Sequence, residues 1–272
     1  MQEKKKNRKP ERVTKPFMRG KMIDRTLPGA ALKFFAFMFM MIFVYLMSMV
    51  LSTLENRLIT IVINAAILAA TWLLFWQSGM SSGADAVAQG EIMLARREKG
   101  RPVEDWEAER CYHPLKGFIV ALVGSIPLLV CSVILACIAK RQMTPIGVLP
   151  TWVNAFETRQ EIGGALAYYH QEAGLTLETV MRLIVHLATM PFVGIVGADN
   201  WDGVLMLERF SPLANLLPAV AFGIGYAMGT HERAAVHTNV ALGKQNLRKK
   251  QARERRQRQK QNQVRRGPEQ LN

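Results

Sequence analysis

Glu178, Arg182 and His186 stand at four-residue intervals inside a mostly apolar stretch. That spacing sets all three along one stripe of an α-helix. A carboxylate, a guanidinium and an imidazole at membrane depth are the groups a proton, ion or substrate path would use, and the imidazole titrates near neutral pH. The same residues also fit a structural role, as an ordinary interfacial Glu–Arg pair with a histidine at the edge of its polar face.

A second set lies near the C-terminus. From Lys244 to Arg266 the chain has 11 Lys/Arg, six Gln, one acid and no aromatic residue. Gln, Arg, Lys and Ala favour helix, so partial helicity is expected. Arg248, Lys249, Lys250, Arg253, Arg255, Arg256 and Arg258 are the residues expected to meet an anionic partner. Without aromatic side chains they cannot stack on bases. What remains is salt-dependent attraction to RNA phosphates, or binding to an anionic leaflet at about 1 kcal/mol per residue near the surface.

A third pattern is steric. Ala221, Gly225 and Gly229 form a small-residue ridge that lets another helix approach closely. Ala65/Ala69 and Ala66/Ala70, beside the polar Asn64, are the matching surface expected on the second apolar run.

Reaction chemistry is not apparent. The chain has no HExxH, no GxSxG and no Gly-rich phosphate loop. His113, His170, His186, His231 and His237 are scattered, and Cys111, Cys131 and Cys137 form no CxxC pair. No enzymatic activity, cofactor or metal site is expected.

The elements that carry these residues are membrane helices. Phe34–Leu51, Leu58–Trp76, Phe118–Ala139 and Leu213–Gly229 are apolar runs, and crossing hydrocarbon takes about 20 such residues. The pattern predicts an all-α polytopic bundle with spans near 32–52, 57–77, 117–139 and 210–230. A weaker segment, 176–198, is either a fifth span or an interfacial or re-entrant helix. Re-entry is preferred: Arg182 is costly at the bilayer centre, and Pro191 interrupts the 12 residues between His186 and Asp199. Pro127 is expected to kink the third span, and Met143–Gly174 reads as amphipathic rather than spanning.

Charge sets the orientation. Residues 1–33 hold 11 Lys/Arg and 3 acids, residues 231–272 hold 12 and 3, and the middle holds 12 and 15. Lys/Arg-rich flanks stay cytoplasmic. Both termini are therefore expected inside, in the plasma membrane, which requires an even number of crossings. The domains follow: a basic tail 1–31, largely disordered; a membrane domain 32–230; and a basic tail 231–272. Within the membrane domain a cytoplasmic loop, 78–116, is expected to open at Ser81-Ser82-Gly83 before a helix from Ala84 to Lys99. Glu91, Glu98, Arg96 and Arg97 are close enough there to pair on that helix. The functional expectation is a non-enzymatic membrane scaffold or assembly factor whose tails hold anionic lipid, RNA or protein partners. A small transporter or channel subunit using the 178/182/186 stripe is the alternative.

Overall fold

The computed structural model describes residues 13–51, 56–139, 177–197 and 200–265. Within them the chain forms α1 (Leu27–Leu51), α2 (Arg57–Glu98), α3 (Asp105–Glu109), α4 (Lys116–Ile138), α5 (Leu177–Val196), α6 (Trp201–Ala227) and α7 (Gly229–Arg265). Five of these, α1, α2, α4, α5 and α6, are long and apolar enough to cross a membrane. Their outer faces carry large apolar side chains such as Phe39, Leu58, Val62 and Leu213, each more than half exposed. Hydrocarbon, not water, is the solvent for such a surface. The molecule is a multi-pass, all-helical membrane protein.

Helices surrounded by lipid gain little from apolar burial against each other, so close approach and internal hydrogen bonds hold them together. Both are present. A methyl group at Gly79 would collide with the Phe222 carbonyl, and one at Gly83 with the Tyr226 carbonyl. From the other side, Gly225 admits the Trp76 carbonyl and Gly229 admits the Gly83 backbone. At the opposite end of α2 the Ser48 hydroxyl donates to Asn64 Oδ1, and Asn64 Nδ2 donates to the Thr60 carbonyl at 2.9 Å. Between these contacts Phe34 packs on Phe75 and Phe222, with ring centroids 5.5 and 5.1 Å away.

The same contacts give the directions. Lys116 and Asp24 bring the beginnings of α1 and α4 together, and Ser48–Asn64 puts the end of α1 beside the beginning of α2. Arg57 Nη2 reaches the Val196 carbonyl at 3.3 Å, so α5 also ends there. Helices α1, α4 and α5 therefore run one way, and α2 and α6 the other. The backbone amide of Val13 donates to Thr238 Oγ1 at 3.1 Å, so the chain's two basic arms meet at one end of the bundle. Five apolar helices and co-located tails are compatible because α4 and α5 are parallel: the end of α4 and the start of α5 lie at opposite ends of the bundle. The expected amphipathic stretch Met143–Gly174 lies outside the described residues.

Three expectations are corrected. Helix α2 does not break at Ser81–Gly83; it runs 42 residues, about 63 Å and twice the hydrocarbon thickness. Gly83 is there because α6 presses on that face, Ser81 and Ser82 are exposed, and the true stop is Gly100, at φ 71°. The basic leader is ordered from residue 13 onward. Met18 N donates to the Gly90 carbonyl and Gly20 N to the Tyr112 carbonyl, both at 3.1 Å, and a methyl group on Gly20 would strike the Cys111 carbonyl. Lys21 pairs with Glu109, and Asp24 with Lys116, both at 2.8 Å. Finally, α7 continues as one helix to Arg265, where only partial helicity was expected.

Pro127 lies within α4 and Pro191 within α5, and neither helix ends there. Ser125 Oγ donates to the Ala121 carbonyl and Thr189 Oγ1 to the Val185 carbonyl, just ahead of each proline.

Candidate functional site

The helical stripe on α5 is organised by a residue on α6. Arg182 Nε donates to Glu208 Oε1 at 2.7 Å and Arg182 Nη2 to Oε2 at 3.2 Å, a two-point grip. His186 Nε2 lies 2.8 Å from the same Oε1. A carboxylate only accepts, so Nε2 carries the proton. The side chains of Arg182 and Glu208 are 3% and 4% exposed. Ser211 Oγ closes the turn above by donating to the Glu208 carbonyl at 2.7 Å.

This arrangement explains how α5 can carry Arg182 along the length of the bundle. Arg182 is expensive in hydrocarbon only while its charge is uncompensated, and Glu208 compensates it with well-formed hydrogen bonds. Helix α5 packs along α1, α2, α4 and α6. Gly194 lets Asn64 sit against its backbone. Its 20 residues span about 30 Å. Of the two expectations for this segment, α5 fits the fifth span, being long and apolar enough to cross, with the partner for Arg182 standing 26 residues downstream. Arg182 and His186 meet at one carboxylate; Glu178 is on the first turn of the same helix, and its side chain lies outside the description.

Glu208 was missed because the apolar run was read from Leu213 and its span from residue 210, so that Glu208 fell just outside it. In the structure Asn200 Oδ1 accepts from Gly203 N at 3.1 Å and caps α6, which starts twelve residues before Leu213. One signal was available: an arginine and a histidine on an apolar helix demand an acid, and Glu208 is the one carboxylate between Gly203 and His231.

The motif recurs. Arg233 and His237, again four residues apart, hold Glu91 of α2. Arg233 Nη2 lies 2.9 Å from Oε2, and His237 Nε2 lies 2.6 Å from Oε1. Glu91 was expected to pair within its own helix; instead it ties α2 to α7, while Arg96 pairs with Glu107 of α3 at 3.2 Å. The expected small-residue ridge also meets α2, but at Gly79 and Gly83, nine and thirteen residues beyond the end of the Ala65–Ala70 patch, where all four alanines are exposed. Ala221 is fully buried beside it.

Beyond Ala241, α7 leaves the bundle. Every residue from Leu242 to Gln259 is exposed, including all seven cationic residues singled out from the sequence. At 100° per residue, Arg248, Lys249, Lys250, Arg253, Arg255, Arg256 and Arg258 fall on all sides of the helix. From Lys244 to Arg265 the helix holds ten Lys/Arg and one acid, Glu254. It is a cationic rod about 33 Å long, with no apolar face.

Comparison with protein-family models, with curated proteins and with solved structures gives no match.

Proposed function

We propose that this protein is a non-enzymatic membrane scaffold or assembly factor that uses α7 to hold a polyanion at the cytoplasmic face of the plasma membrane. The supporting observation is the rod itself. A helix that lies in the headgroup layer needs an apolar face to bury, and α7 has none past Leu247. It also runs on from α6 through a single turn at Met228 and is clamped to α2 by Glu91. That geometry carries its charge away from the bilayer, over more than the roughly 8 Å across which leaflet charge is felt in physiological salt. A polyphosphate in the aqueous phase is the better electrostatic complement, and RNA is the partner favoured over the leaflet. Binding of this kind ignores sequence and falls steeply with salt.

The test is fluorescence anisotropy of a single-stranded RNA against the full-length protein in nanodiscs of neutral lipid. Affinity should drop by about a hundredfold or more between 50 and 200 mM salt, and deleting residues 244–272 should remove it. Salt-independent binding, or binding that survives the deletion, would count against the proposal.

The buried Arg182–His186–Glu208 cluster favours a second reading, a small transporter or channel subunit. Under it, His186→Gln would abolish transport into proteoliposomes and the tail deletion would not. Under the scaffold reading, His186→Gln leaves RNA binding intact.

A further inference from the structure

A second basic patch lies at the base of the bundle's tail end, lining a cavity. A cavity of about 680 Å³ opens between the start of α1, the middle of α2 and the α3–α4 corner. Its chemistry is graded. Arg25, Lys33 and Arg110 line the outer part, Ser78 and Ser82 of α2 add hydroxyl donors to one wall, and Phe34 and Phe222 lie at its apolar base.

The charge balance of the cavity is positive. Lys116 also lines it, but its ammonium is committed to Asp24 Oδ2 at 2.8 Å and to the carbonyls of Glu109 and Arg110. Among the described residues Asp85 is the one carboxylate in the lining. Among the described residues Arg25, Lys33 and Arg110 make no ion pair, and Arg110 is positioned by stacking its guanidinium 4.7 Å from the Trp106 ring centre. Three cations therefore face one acid.

The depth of the site selects the ligand. Lys33 immediately precedes the apolar run that begins at Phe34, so the basic rim stands where α1 enters hydrocarbon, at headgroup height. A soluble phosphate would satisfy the rim and leave the aromatic base unused. A glycerophospholipid satisfies both: its phosphate meets the three cations, and an acyl chain continues down past Phe34 and Phe37. We propose that this cavity binds one anionic glycerophospholipid at the junction of α1, α2 and α4.

The full-length protein in detergent is titrated with phosphatidylglycerol, phosphatidylcholine or inorganic phosphate, and bound lipid is counted by native mass spectrometry. The proposal predicts one retained phosphatidylglycerol, and little phosphatidylcholine. The triple variant Arg25→Gln/Lys33→Gln/Arg110→Gln should weaken retention by roughly tenfold or more. All three side chains are exposed, so helicity and the unfolding midpoint should be unchanged, which separates lost binding from lost fold. A matched variant on α7, Arg255→Gln/Arg256→Gln/Arg258→Gln, should retain the lipid as wild type does. Equal retention of phosphatidylcholine would overturn the proposal. So would loss of lipid in the α7 variant with retention in the pocket variant. Displacement of phosphatidylglycerol by equimolar inorganic phosphate would assign the cavity to a free anion instead.

Discussion

Glu208 and Glu91 are each gripped by an arginine and a histidine four residues apart on a neighbouring helix, but at different depths. Around Glu208 the arginine side chain is 3% exposed; around Glu91 it is 29% exposed. The bond lengths are nearly the same, so the difference lies in what surrounds them. In hydrocarbon each charge depends wholly on its partner, because no water replaces a lost bond. At the edge of the bundle, water fills in. One geometry thus serves two purposes: around Glu208 it makes a charged helix tolerable inside the bundle, and around Glu91 it fixes the direction in which α7 leaves.

The largest effect should come from breaking the deeper grip alone. Arg182→Met leaves the Glu208 charge with His186 alone and should cost about 3–5 kcal/mol, read as a drop in unfolding midpoint in detergent. Arg233→Met should cost about 1 kcal/mol or less. Replacing both deep partners, Arg182→Met with Glu208→Met, should recover most of the loss. Equal costs for the two arginines would break the comparison.

Next in size are the glycines that bring α2 and α6 together. Gly83→Leu forces backbones apart and should cost about 1–3 kcal/mol. Gly243→Ala has nothing within 4 Å of the new carbon and should be neutral or slightly stabilising. A large penalty at Gly243 would mean that the outer part of α7 is not free of the bundle.

The smallest effect concerns the leader. Burial alone would raise the Asp24 carboxyl, but hydrogen bonds from Lys116 and Thr26 outweigh it and hold it below the usual carboxylate range. A depressed value means the carboxylate stabilises the fold at pH above about 3.9, the unfolded value, and that contribution is lost as pH falls through the folded value. Proteolysis at residues 13–26 should therefore accelerate only below about pH 4, and Asp24→Asn should be cut faster at neutral pH. Acceleration in wild type already at pH 6 would contradict this assignment.

The helical membrane class was legible because apolar length alone determines it. The stripe's position was legible from four-residue spacing, and the cationic residues of α7 from composition. Three things were not. Glu208 sits in a polar-looking stretch, and only the three-dimensional pairing with Arg182 makes that stretch part of a span. Ser81–Gly83 looks like a loop, yet in hydrocarbon and at helix contacts small residues mark close approach. The leader has almost no apolar periodicity, and its order comes from backbone amides reaching Gly90 and Tyr112, partners that no local pattern announces. The direction of α5 was hidden by parity: counting crossings assumes that consecutive spans alternate, and α4 and α5 do not.

The central claim is that both basic arms leave the bundle on one side. Single cysteines placed at Thr14 and at Gln257, in a background with Cys111, Cys131 and Cys137 replaced by serine or alanine, can be probed with an impermeant maleimide in intact cells and again after permeabilisation. The account predicts that both sites are protected in intact cells and both react once the membrane is opened. Labelling of one site from outside while the other stays protected would contradict it, and would separate the arms that the Val13–Thr238 contact brings together.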